Sequence, residues 1–207
     1  MLLGVAFLLL IPTGLSVAST VSPTASTSVT IPGNLDISTA VSYSNTALTV
    51  LGGVQIASGG SLHLKNVTLH LLEPMGLDNG IVILSGGNLT ATGLTVESST
   101  SGNPWWLRAN SGSHLSIDGG DLVGLGAASR AGIVLESSGA NLTGITFSQY
   151  YEALQVEGEG AVVFDCEFLA SVGSSSSYIV SDSGGGTNFK LLDSVFRTQA
   201  NVGALSV

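Results

Sequence analysis

The stretch Leu64-Lys65-Asn66-Val67-Thr68-Leu69 recurs along the chain in one pattern. Its counterparts are Ala91-Thr92-Gly93-Leu94-Thr95-Val96, Ile117-Asp118-Gly119-Gly120-Asp121-Leu122 and Leu142-Thr143-Gly144-Ile145-Thr146-Phe147. Val163-Phe164-Asp165-Cys166-Glu167-Phe168 and Leu191-Leu192-Asp193-Ser194-Val195-Phe196 complete the set. The blocks end at 69, 96, 122, 147, 168 and 196, so the steps are 27, 26, 25, 21 and 28 residues. Strand-like segments at a period in the twenties mark a solenoid, in which each repeat buries its apolar face against its neighbours.

The third position of each block is Asn66, Gly93, Gly119, Gly144, Asp165 or Asp193. These residue types tolerate a left-handed backbone, which a sharp bend between two strands requires. First, fourth and sixth positions are mostly apolar, as in Leu64, Val67 and Leu69. Alternate residues of a strand share a face, and a bend after position three resets the alternation. All three positions then point inward, and the fifth (Thr68, Thr95, Asp121, Thr146, Glu167, with Val195 as the exception) points out. A second corner precedes each block, as in Ser58-Gly59-Gly60-Ser61 and Ser85-Gly86-Gly87-Asn88, and paired glycines between apolar runs mark tight turns. Before it lies another short strand: Val54–Ile56, Ile81–Ile83, Leu107–Ala109, Ile133–Leu135, Leu154–Val156 and Tyr178–Val180. The pattern predicts an all-β solenoid of about six coils over residues 51–207, preceded by an N-terminal hydrophobic segment.

The run Ser-Gly-Gly-x-Leu-x-Leu-x-Asn-x-x-Leu, read from Ser58 to Leu69, resembles the right-handed parallel β-helix repeat of the pectin-lyase-like superfamily. In particular it is similar to the non-catalytic repeats of large secreted or surface proteins. The resemblance covers roughly residues 40–207 and implies a right-handed parallel β-helix. That fold hosts lyases, hydrolases, adhesins and scaffolds, so function has to be argued from sites.

Composition narrows the field. The chain has 207 residues, 28 of them Gly, with 44% hydrophobic and 9% charged residues and a mean hydropathy of +0.49. A surface with so few ions must be carried by Ser, Thr, Asn and Gly. Net charge is −9, which argues against nucleic acid, whose binding needs clustered Lys and Arg. A disulfide framework is excluded by the single cysteine, Cys166, which stands at an inward position and reads as a small buried hydrophobe.

Residues 1–18 read as a signal peptide or membrane anchor: Leu2–Leu10 is an apolar run, Pro12 and Gly14 break it, and Ser16-Val17-Ala18 offers small residues for cleavage. Any membrane contact is expected through this segment alone. Residues 19–31, rich in Ser, Thr and Pro, read as a linker, and residues 32–50 as an N-terminal cap, with Ile31-Pro32-Gly33 and Leu35-Asp36-Ile37 covering the first coil. Gly203–Val207 resembles the start of a seventh coil, so the chain is expected to be the N-terminal piece of a longer protein, truncated within its solenoid. Three Asn-x-Thr triplets begin at Asn66, Asn88 and Asn141. Asn66 sits at the turn position, which leaves Asn88 and Asn141 as glycosylation candidates.

Two groups of residues suggest contacts with ligands. Trp105 and Trp106, Tyr150 and Tyr151, and Tyr178 lie in equivalent loops or at a strand start. Stacked along one edge, five rings would offer flat faces to sugars. Asp165 and Asp193 share a corner on consecutive coils, with Glu167 in the outward column beside them. Adjacent strands lie about 4.8 Å apart, close enough for two carboxylates to share a cation. The pair could equally form an acid pair; no cofactor is expected, and Ca²⁺ is an ion this corner could hold. No catalytic residue is assigned, because acids and bases do not converge on neighbouring coils. The expected function is an exported or cell-surface module with a structural, adhesive or carbohydrate-contact role, meeting polysaccharide or surface proteins. The alternative is the N-terminal part of a polysaccharide lyase or glycoside hydrolase with its site in further coils.

Overall fold

The computed structural model describes residues 27–72, 80–98, 104–127, 130–169, 178–182, 188–197 and 203–206. The N-terminal segment 1–18 and residues 19–26 lie outside them. All regular structure among the described residues is β-strand. In chain order the first strands are β1 (Thr27–Ile31), β2 (Leu35–Ile37), β3 (Ala40–Val50), β4 (Val54–Ile56), β5 (Ser61–Leu71) and β6 (Gly80–Ile83). There follow β7 (Asn88–Ser98), β8 (Trp106–Ala109), β9 (His114–Val123), β10 (Ile133–Leu135), β11 (Asn141–Ser148) and β12 (Leu154–Val156). The last are β13 (Val162–Phe164), β14 (Glu167–Leu169), β15 (Tyr178–Asp182), β16 (Lys190–Leu192), β17 (Val195–Arg197) and β18 (Gly203–Ser206).

These strands form two sheets, and every named pair is parallel. The first runs β1-β3-β5-β7-β9-β11-β13-β16, with β14 paired to β11 and β17; the second runs β2-β4-β6-β8-β10-β12-β15-β18. Consecutive strands of one sheet are separated in sequence by a strand of the other, an arrangement consistent with a parallel β-helix. The register of the six blocks agrees with the sequence reading: Leu69 pairs Val96, Val96 pairs Leu122, Leu122 pairs Phe147, Phe147 pairs Phe168, and Phe168 pairs Phe196.

The bend works as the residue types predict. Asn66, Gly93, Gly119, Gly144, Asp165 and Asp193 all have positive φ, between 49° and 71°. In β5 the buried residues before the bend are Leu62 and Leu64, and after it Val67, Leu69 and Leu71. Lys65 and Asn66, between them, are both exposed. The alternation is therefore reset within one strand, and both arms face the same core. Across from them, Val54, Ile81, Leu107, Ile133, Leu154 and Val180 form an inward column in the second sheet. A fully buried large aliphatic or aromatic side chain contributes about 1.5–3 kcal/mol relative to exposure, and stacking supplies that burial to every coil at once.

The structure departs from the sequence reading at both ends. Residues 27–31, 35–37 and 40–50, within the segments 19–31 and 32–50 read as linker and cap, are strands of the same two sheets: Val29 pairs Leu48, and Leu35 pairs Val54. Tyr43-Ser44-Asn45-Thr46-Ala47-Leu48 is one more block, with Asn45 at φ 51°. Its inward fourth position holds Thr46, where later blocks carry Val67 or Leu94. Thr46 is only 5% exposed, and its hydroxyl donates to the Ser44 carbonyl at 2.8 Å. Burial of a hydroxyl is tolerated once it is hydrogen-bonded, so a polar residue concealed the repeat. In β15 the pairing is Leu154 with Val180 and Val156 with Asp182, two residues later than the alignment that began at Tyr178. A slip of two keeps each side chain on its face. β18 pairs with β15, Leu205 opposite Val180, as the resemblance of Gly203–Val207 to a further coil predicts.

Candidate functional site

The aromatic residues do not form the five-ring edge expected from their spacing. Trp105 is 1% exposed, and its Nε1 donates to the Val123 carbonyl at 2.7 Å. Tyr150 is fully buried and meets Phe168 edge-on, with ring centroids 6.4 Å apart. Burial pushes the Tyr150 phenol up to about 12. Both rings give their faces to the core, where about 150–250 Å² of aromatic surface leaves water per residue. Trp106 and Tyr151 are half-buried. The Trp106 ring lies over Gly80, where a Cβ would come within 2.3 Å of the indole, and under the Arg130 guanidinium at 4.9 Å. That is a cation–π pair. Tyr178 is the first residue of β15, and its ring lies outside the described side chains.

The acidic corner is assembled as the register implies. Asp165 and Asp193 are both exposed, and both take the left-handed conformation, at φ 52° and 49°. Their flanking residues pair in register, Phe164 with Leu192 and Glu167 with Val195. The Asp165 N–H donates to the Leu192 carbonyl at 3.1 Å, which ties the two corners together through backbone. Glu167 does not join them: it accepts from Arg197 Nε at 2.5 Å. The corner thus holds two carboxylates and no third acid. Among the described residues no group of three or more His, Cys, Asp or Glu is placed to hold a metal ion.

Cys166 lies beneath this corner, 1% exposed, with Sγ 3.4 Å from the Phe164 carbonyl and 3.6 Å from that of Leu142. Burial, the largest influence, pushes its thiol up. The two glycosylation candidates are in different settings. Asn88 is half-buried, and its Nδ2 donates to Ser61 Oγ at 3.2 Å. Asn141 is exposed, and its Oδ1 accepts from the Thr143 hydroxyl at 3.3 Å.

Two outward columns run across the strands of the first sheet. One column runs Ser44, Lys65, Thr92, Asp118, Thr143, then Phe164 and Leu192. A second runs Ala47, Thr68, Thr95, Asp121, Thr146, Glu167 and Val195. Both end apolar, with Phe164 39%, Leu192 46% and Val195 46% exposed. The signal was present in the aligned blocks and lies in the second and fifth positions. Polar ladders tie other coils: His63 sits between Ser61 Oγ at 2.9 Å and Thr90 Oγ1 at 2.5 Å, and Arg108 pairs with Glu136 on the next coil. Comparison of the chain with protein-family models, curated proteins and solved structures returns no match.

Proposed function

We propose that this chain is an exported or cell-surface module, a right-handed parallel β-helix of the pectin-lyase-like type, with a structural, adhesive or carbohydrate-contact role. The observation that carries this reading is the unbroken register of inward columns under outward columns of hydroxyl and amide side chains. Thr68, Thr95 and Thr146 lie in one such column, and Ser42, His63, Thr90, Ser116 and Asn141 in another. A core shared between all neighbouring coils makes a stiff rod, advancing about 4.8 Å per coil. The rod's flat faces repeat hydrogen-bonding groups at that spacing, suited to an extended polymer or a neighbouring protein. A right-handed crossing is the form taken by about 98% of parallel crossover connections. Arg108 and Arg197 are engaged with Glu136 and Glu167, so the net charge of −9 disfavours nucleic acid as a partner. Ca²⁺ is the cation the Asp165–Asp193 corner would take, two carboxylates supplying hard oxygen ligands.

The test is export of the full chain under its own leader, followed by co-sedimentation with a panel of insoluble polysaccharides and of cell envelopes. Recovery outside the cell with retention on one of these surfaces is expected. Cleavage of a polyuronate, lost in Asp165→Ala/Asp193→Ala, would replace this reading with the lyase or hydrolase alternative.

A further inference from the structure

We propose that Asn141 is an acceptor for an N-linked glycan, and that Phe164 on the next coil is the platform on which its first sugar rests. The inference depends on the export reading, because N-linked transfer acts on exported chains. Three Asn-x-Thr triplets compete, and the structure separates them by what holds each amide nitrogen. Asn66 Nδ2 donates to Asn45 Oδ1 at 3.1 Å, within a ladder along the corner. Asn88 Nδ2 donates to Ser61, its Oδ1 is buried, and the Thr90 hydroxyl of its triplet is engaged with His63. Asn141 is exposed, and the bond from Thr143 engages its oxygen, the nitrogen taking no part. A glycan on Asn88 would have to break the Ser61 contact and open a packed corner; one on Asn141 projects from the sheet face.

A second observation points to the same place. In register, Asn141 is opposite Val162 and Thr143 is opposite Phe164. Phe164 is thus the diagonal neighbour of Asn141, one strand spacing across and two residues along, about 8 Å from it and within reach of an aromatic side chain. It stands 39% exposed in a column whose earlier members are Ser44, Lys65, Thr92, Asp118 and Thr143. A sugar on Asn141 Nδ2 can lay its apolar C–H face on this ring, covering apolar surface that otherwise meets water.

The transfer is a substitution without redox change. Asn141 Nδ2 attacks the anomeric carbon of a sugar carried on a polyprenol phosphate or pyrophosphate. The N–C bond forms, the C–O bond to phosphate breaks, the lipid phosphate leaves with the electron pair, and the amide loses one proton to base.

The experiment expresses the full chain in an N-glycosylating host, once with its own leader and once behind a supplied cleavable leader. Secreted and intracellular pools are mapped by peptide mass spectrometry. The expected result is a hexosamine-bearing mass increment on the Asn141 peptide, absent in Asn141→Gln and Thr143→Ala and retained in Asn88→Gln. Phe164→Thr keeps the increment but loses the difference in Tm between glycosylated and enzymatically deglycosylated protein. Unmodified Asn141 behind the supplied leader, in both pools, overturns the inference, as does a glycan on Asn88. Retention inside the cell under the native leader, with Asn141 modified under the supplied one, refutes export through the chain's own leader and leaves the acceptor standing.

Discussion

Phe168 is the side chain whose removal tests the column packing most directly. It stacks on Phe147 at 4.6 Å and on Phe196 at 4.8 Å, nearly parallel to both, and meets Tyr150 edge-on at 6.4 Å. It is fully buried. Truncating a buried Phe to Ala costs about 3–5 kcal/mol, including the cavity left behind. Each well-placed ring pair adds about 0.5–1.5 kcal/mol beyond area burial. With three ring partners, Phe168→Ala is expected at the top of that range, about 5 kcal/mol. Phe168→Leu keeps most of the apolar volume and loses the ring pairs, so about 2 kcal/mol is expected. Against a typical domain stability of about 5–15 kcal/mol, the Ala loss is large enough to unfold part of the stack. Where each strand pairs only with its neighbours along a sheet, stability is a sum of local and nearest-neighbour terms, so the damage should stay local. The assay is equilibrium unfolding in urea followed by circular dichroism, with hydrogen exchange read strand by strand. Amides of β13, β14, β16 and β17 should lose protection while those of β5 and β7 keep theirs. A Phe168→Ala loss below about 2 kcal/mol, or one equal to that of Phe168→Leu, would refute the stacked-column reasoning.

Gly93→Ala and Gly144→Ala place the same methyl at the same corner on different coils. Both glycines have positive φ, 64° and 60°, but a Cβ at Gly93 comes within 2.8 Å of Asn66 Oδ1 while one at Gly144 meets nothing closer than 3.8 Å. Each should lose about 1–2 kcal/mol to left-handed strain, with Gly93→Ala the less stable in parallel thermal melts; a reversed order would contradict the corner geometry. Tyr150, with its phenol raised to about 12 from 10.0, favours the neutral form in the folded state. Its contribution is fully present below pH 10 and lost as pH rises toward 12. Tyr150→Phe should therefore flatten the decline in stability over that window in pH-dependent urea titrations. It also removes a buried hydroxyl that has no hydrogen-bond partner among the described residues, so the variant should be at least as stable at pH 7; a loss above about 1 kcal/mol there would show that the hydroxyl is bonded. Cys166, buried and with its thiol pushed up, should react with a disulfide reagent at pH 8 only as fast as the coil opens. A stopped-flow rate matching a free thiol would place it at the surface.

Much of the fold was legible because parallel strands stacked in two sheets repeat their constraints. The left-handed corner admits few residue types, and the same apolar positions return on every coil, so six blocks sufficed to align Leu69 through Phe196. The N-terminal block escaped because Thr46 hides its hydroxyl in a local bond to Ser44, which no hydrophobicity pattern can register. The two-residue shift at Val180 escaped because alternation is blind to even slips. Gly120 stands at an inward column position between Leu94 and Ile145. A Cβ there would lie 2.0 Å from the Leu94 carbonyl, so contact with the coil below, not the pattern, selects glycine.

The candidate site followed a different rule. Spacing along the chain brought Asp165 and Asp193 to one corner, because corners are set by backbone and recur in register. It did not say which way Trp105 and Tyr150 turn. Loop side chains obey no two-residue alternation, and both rings fold inward, where apolar contact outweighs exposure. Nor did spacing distinguish Asn88 from Asn141, which share a triplet and differ only in what the adjoining coil presents to the amide. The sequence by itself determined the period, the corner residues and the inward columns, all properties that each coil carries alone. Only the tertiary structure decided which polar and aromatic groups remain at the surface, since that depends on contacts between coils roughly 25 residues apart.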